Sequence, residues 1–201
     1  MSDQIDKPNY LGSSFAGFMN QFIGESDRAA VILGAAKVEL LLGQILDKFL
    51  LPSAATSDDL LEGEAPLSTF SAKIKACHRL GLIDDQFCKL LNIFRRLRNG
   101  FAHEVTTDSL SVGSTRDRVA ALAEPFAHTA YFQTILRVVT KDMNRKEDDM
   151  GALFRATLAL FHIHLLRIHG GLTPIKRTEL LDIVEMCRQS KSPEKTPSTA
   201  P

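Results

Sequence analysis

The stretch DDQFCKLLNIFRRLRNGFAH, residues 84–103, decides the fold class of this chain. Its apolar residues recur every three or four positions, which is the spacing of one helix face, and Asp84 stands where an N-cap residue belongs. With Phe94 at the centre of that face and an advance of about 100° per residue, Arg98 lies roughly 40° away, whereas Asn99 and His103 lie near roughly 140° and 180°. The stretch therefore predicts an amphipathic helix with an inward arginine and an outward polar pair.

In the remaining sequence, apolar residues recur with the same helical spacing. Gly, Pro, Ser and Thr residues separate these segments and mark where helices begin or end. The other predicted helices are Ser13 or Ser14 to Ile23, Asp27–Leu51, Ser68–Leu80, a short piece Thr115–Ala123 in a loop, Thr129–Val139, Asp148–His169 and Pro174–Arg188. The Thr129–Val139 segment is rich in strand formers, but it has no second strand nearby to pair with, so a helix is predicted. The Asp27–Leu51 helix is apolar on nearly every side and is expected to be central.

These patterns predict an all-α fold, a bundle of about six to seven helices with a long central helix and a disordered C-terminal tail. The chain has 201 residues, which favours a single domain. The predicted organisation is a flexible lead over 1–12, one helical domain over 13–189 and a disordered tail over 190–201.

Composition narrows the function classes. Lys+Arg and Asp+Glu each count 24, so no global positive charge exists to drive sequence-independent binding of nucleic acid. The three cysteines lack paired spacing and are expected to be reduced thiols. No secretory signal is expected, and no stretch is expected to supply the roughly 18 to 20 apolar residues of a membrane span. The expected location is the cytoplasm, without a membrane partner.

An inward Arg98 needs a carboxylate partner, because a guanidinium cannot lose its proton to escape burial. Glu39 is the first candidate, since it lies within an apolar run of the central helix where an unpaired carboxylate would be costly. Asp27 and Asp47 are weaker alternatives. One interpretation is therefore a structural ion pair between Glu39 and Arg98 that fixes the register of two helices.

The second interpretation is an exposed polar site around Arg98, Asn99 and His103, in which the imidazole acts as general acid or base. Arg95 and Arg96 belong to the densest local basic cluster and are candidates for a phosphate or partner contact.

The histidines at positions 162, 164 and 169 are the one cluster that invites a metal interpretation. His162 and His164 lie about 200° apart around a helix, and no cysteine or carboxylate nearby completes a set of three or four convergent ligands. Neither a metal nor another cofactor is therefore predicted.

The segments PLSTFSAKI (66–74), LGLI (80–83) and RRLRNGFAHE (95–104) resemble the mannitol operon repressor (MltR) family, and SDRAA (26–30) and AAKVELL (35–41) resemble its first helix. This core match spans 25–104. The resemblance implies an all-helical bacterial regulator of transcription without its own DNA-binding domain, acting through an unidentified protein partner. A homodimer is the expected oligomeric state. No helix pair here has the basic recognition helix of a helix-turn-helix, so direct sequence-specific DNA binding is not expected.

A second, broader resemblance is to the Arg-x4-6-His motif of HEPN domains, carried by Arg98 and His103. That likeness implies an alternative function, a metal-independent endoribonuclease of a toxin or defence system with RNA as substrate. In such enzymes two protomers bring their motifs together, and the catalytic candidates here would be Arg98, Asn99 and His103.

Overall fold

The computed structural model describes residues 17–53, 58–103 and 109–177, and within these ranges it contains helices and no strand. The helices are α1 (Asp27–Phe49), α2 (Phe70–Arg79), α3 (Asp85–His103), α4 (Gly113–Ala123), α5 (Ala130–Asp142) and α6 (Met150–Gly171). A further helical turn over 17–20 precedes α1. The predicted all-α class is confirmed, while the lead over 1–12 and the tail over 190–201 lie outside the described residues.

The two long helices α1 and α6 form the centre of the bundle. Helix α1 begins at the N-cap Ser26, whose side chain accepts a hydrogen bond from the Ala29 amide, and it packs on α2, α3 and α6. Helix α6 also packs against α4 and α5. A Cβ atom added to Gly34 would lie 2.6 Å from Leu158 Cδ2, so the missing side chain lets the two helices approach closely. The predicted central helix therefore shares that position with α6.

Helices α2 and α3 form the predicted hairpin. Gly81 adopts a φ of 71° between them, a left-handed conformation that glycine reaches without steric cost, and Asp84 caps α3 by accepting from the Phe87 amide at 2.7 Å. The predicted face of α3 is buried throughout: Phe87, Leu90, Leu91, Phe94, Leu97 and Phe101. The Phe94 ring meets the rings of Phe154 and Phe161 on α6.

The segment with strand propensity is a helix, α5, which begins at the N-cap Thr129. By contrast, the predicted helix start at Pro174 is wrong, because 172–177 are not helical. Instead the Ile175 amide donates to the Phe49 carbonyl at 2.9 Å, which fastens this segment to the end of α1. The rest of that predicted helix lies outside the described residues.

Helices α1 and α6 are long and apolar enough to cross a membrane by length and composition, contrary to the sequence-based expectation. The core helix of a soluble protein passes the same test, and about half of each apolar window is buried in the bundle, 50% in α1 and 56% in α6.

Candidate functional site

A polar pocket of about 490 Å³ opens where the start of α2 faces the second half of α3, and we call it the arginine pocket. Its walls combine side chains from α1, α2, α3 and the loop before α2. The lining residues are Glu39, Gly63, Ser68, Thr69, Phe70, Ser71, Arg95, Arg98 and Asn99. Four of the site residues predicted from the sequence therefore lie around one cavity.

The ion pair in this pocket differs from the predicted one. Glu39 Oε1 lies 3.5 Å from Lys73 Nζ of α2, and the Lys73 side chain is only 14% exposed. Arg98 Nη1 donates instead to Asn99 Oδ1 at 3.1 Å. Arg98 is half-buried at the pocket wall, so its charge keeps access to water and does not require a carboxylate. Glu39 thus forms its ion pair with Lys73 and not with Arg98.

Hydrogen-bond donors dominate the wall formed by α2 and α3. Thr69 caps α2 by accepting from the Ala72 amide at 3.2 Å, and the amides of the first helical turn, at Phe70 and Ser71, have no acceptor within their own helix. Arg95 Nε is buried and has no hydrogen-bond partner in the described part of the chain. The pocket therefore contains donors that lack acceptors.

Two predicted site residues do not line this pocket. Arg96 is exposed and its Nε donates to the Asn92 carbonyl one turn earlier, at 3.3 Å. His103 is the last residue of α3 and is exposed. Arg98 and Asn99 thus share a cavity within one protomer, and His103 stands outside it.

The most deeply buried charge is Arg155 of α6, which the sequence analysis missed. Its side chain is 1% exposed. Arg155 Nε donates to the Phe22 carbonyl at 2.8 Å, Nη2 to the Glu25 carbonyl at 2.6 Å, and Nη1 to the Gly151 carbonyl at 3.0 Å and to Asp27 Oδ1 at 3.2 Å. This arginine ties the chain before α1 to α6.

A signal for this cluster is present in the sequence. Arg155 interrupts an apolar run of α6, just as Glu39 interrupts one in α1. A charge in such a run is costly to bury without a partner, so both residues are expected to have one. Its partner Asp27, which was a weaker candidate for Arg98, also accepts from the Leu110 amide at 3.1 Å through Oδ2.

An apolar groove of about 450 Å³ lies where the start of α3 meets α5 and α6, and we call it the aromatic groove. The Phe161 ring on its floor meets the rings of Phe87 and Phe126. Tyr131 at its edge is 58% exposed. The lining residues are Asp84, Gln86, Phe87, Leu90, Pro125, Phe126, Thr129, Tyr131, Leu160, Phe161, Ile163, His164 and Arg167.

Two histidines of α6, His162 and His164, contact aromatic rings. The His162 ring stacks on Phe18 with 3.9 Å between centroids, and the His164 ring meets the edge of Phe87. Burial lowers the pKa of both imidazoles. Among the residues that the structure describes, no three His, Cys, Asp or Glu side chains are placed to hold a metal ion.

The lowered pKa of His162 predicts an acid-sensitive fold. In the folded protein, burial chiefly, and then the nearby Lys37 charge, oppose protonation of the His162 imidazole. Below the ordinary histidine pKa of 6.5, this imidazole is therefore more protonated in the unfolded chain than in the folded one. The free energy of unfolding should therefore fall as the pH drops below about 6.5. Urea unfolding at several pH values should show a shallower fall in His162→Leu than in the wild type, and equal slopes would contradict this assignment.

No protein-family model matches the sequence, and no curated protein matches it. A solved structure, the X-ray structure of the MtlR-HPr complex from Escherichia coli, contains a chain similar to this one with a TM-score of 0.52 and 16% sequence identity. The similarity covers 77% of this chain and 98% of that chain. At this identity the likeness shows the fold alone, and the fold of this chain is similar to that of MtlR.

Proposed function

We propose that this chain is an MltR-like bacterial regulatory protein that acts by binding another protein. The fold likeness carries the proposal, because it extends over 98% of a chain that was solved in complex with HPr. The balanced charge of 24 basic and 24 acidic residues supports a protein partner over nucleic acid. A homodimeric state and a cytoplasmic location belong to the same proposal.

The partner that we propose is an HPr-like protein, and its binding surface on this chain is the aromatic groove. The groove has an apolar floor around Phe161, an exposed aromatic side chain at Tyr131, and one charge of each sign at Asp84 and Arg167. Binding surfaces of transient complexes combine such features, an aromatic anchor in an apolar centre with a polar rim. A small globular partner with a complementary apolar patch fits this composition.

The test is titration calorimetry of the full chain with purified HPr from the organism that encodes this chain. Tyr131→Ala should weaken the binding by about tenfold or more, because truncating an aromatic side chain that a partner buries typically costs that much affinity. Val112→Ala is the matched control, since Val112 is 63% exposed and lies outside the groove. That variant should bind within about twofold of the wild type.

Two results would overturn the proposal. One is the absence of saturable binding to HPr, and the other is RNA cleavage in chelator by the wild type that His103→Ala abolishes. Cleavage would favour the HEPN-like ribonuclease, in which Arg98, Asn99 and His103 would have to meet across two protomers. Intact RNA together with binding that depends on Tyr131 would support the regulator.

A further inference from the structure

Two arginines of the arginine pocket lack carboxylate partners. Arg95 and Arg98 are three residues apart, which places them on neighbouring positions of one face of α3, and both line the cavity. Neither forms an ion pair with any residue in the described ranges, and Arg95 Nε is buried without an acceptor. A buried donor left unpaired is costly, so an acceptor supplied from outside the chain would stabilise this arrangement.

The start of α2 adds donors to the same cavity. Phe70 and Ser71 begin the helix behind the Thr69 cap, where backbone amides point out of the helix end and the helix dipole favours negative charge. The hydroxyls of Ser68 and Ser71 also lie at the pocket wall. The cavity therefore offers guanidinium, amide and hydroxyl donors to one occupant.

The acidic residue at the pocket does not cancel this preference. The Glu39 carboxylate is paired with Lys73, so its negative charge is balanced by a residue just outside the wall. The arginines remain as the uncompensated charges. Two guanidinium forks with helix-terminal amides match the several acceptor oxygens of a tetrahedral dianion better than the two oxygens of a carboxylate.

We infer that the arginine pocket binds the phosphate group of a small phosphate monoester, independently of the partner surface proposed above. The cavity of about 490 Å³ exceeds the volume of a phosphate group and leaves room for a small organic part. Glu39 and Asn99 at the wall can hydrogen-bond hydroxyl groups of that part. Free inorganic phosphate shares the recognised chemistry and is distinguished by experiment.

The test is titration calorimetry of the full chain with glycerol 3-phosphate and, separately, with inorganic phosphate, at constant ionic strength set with chloride. We expect saturable binding at one site. Arg98→Gln and Arg95→Gln should each weaken it by about tenfold or more, because each removes a charge-assisted hydrogen-bond donor. Arg96→Gln is the matched control: it removes the same charge from the same helix outside the pocket, and its affinity should stay within about twofold.

A second variant separates ligand binding from folding. Ser71→Asp places a carboxylate in the first turn of α2, where the helix dipole favours it, so the thermal midpoint of the unliganded protein should hold or rise. The same carboxylate would repel a phosphate and should abolish its binding. Tighter binding of glycerol 3-phosphate than of inorganic phosphate would identify the monoester, and the reverse would identify the free anion. Unsaturable binding of both, or equal losses in Arg96→Gln and Arg98→Gln, would overturn the inference.

Discussion

Replacing Arg155 with methionine is expected to lower the free energy of unfolding by about 3 to 5 kcal/mol, because it removes the fully buried member of an ion pair together with its hydrogen bonds to backbone carbonyls. The change leaves the Asp27 carboxylate without its cation and the Phe22 and Glu25 carbonyls without their donor. Methionine keeps much of the side-chain length, so the loss reports on polar contacts more than on volume. Urea unfolding followed by circular dichroism measures it.

Arg145→Met is the matched control for that experiment. Arg145 pairs with Asp149 at 3.3 Å, but its side chain is 59% exposed, and exposed pairs contribute about 0 to 1 kcal/mol. A loss in Arg155→Met no larger than in Arg145→Met would show that the buried cluster does not stabilise the fold.

Replacing Phe94 with alanine is expected to destabilise the protein by about 3 to 5 kcal/mol, since large-to-small changes in a packed core also leave a cavity. Phe94 is 1% exposed, and its ring contacts the rings of Phe70, Phe154 and Phe161. The midpoint of urea unfolding should shift accordingly with a nearly unchanged slope.

Tyr131→Ala serves as the exposed aromatic control for Phe94. Its ring is mostly in water, so its removal should change the free energy of unfolding by about 0.5 kcal/mol or less. Comparable losses in both variants would mean that Phe94 is not at the centre of the core.

Helix positions were predictable where a local pattern and the tertiary packing agree. The buried face of α3 follows directly from its spacing around Phe94, and α5 follows from the lack of any strand to pair with. The helix start predicted at Pro174 is wrong: 172–177 are not helical, and the Ile175 amide donates to the Phe49 carbonyl, more than a hundred positions earlier. A contact over that separation leaves no mark in local sequence.

The polar partners were harder to predict than the helices. Periodicity gave the direction of Arg98, and the structure places it with Glu39, Arg95 and Asn99 around one pocket. Periodicity could not show that Glu39 would form its ion pair with Lys73 of α2 and not with Arg98. Arg155 is a charged residue within an apolar run of α6, and this pattern alone indicates a buried charge that needs partners. Its acceptors are mostly backbone carbonyls, however, and no residue pattern reveals those.

The pairing of α1 with α6 joins two parts of the chain that are far apart in sequence. The Gly34 approach to Leu158 and the Arg155 contacts with the chain before α1 join regions more than 120 residues apart. A nascent chain must therefore keep the side of α1 that faces α6 uncovered until α6 has been synthesised, and contacts over such separations slow the final assembly step. Splitting the chain between α3 and α4 should yield fragments that aggregate alone and recover solubility only when expressed together.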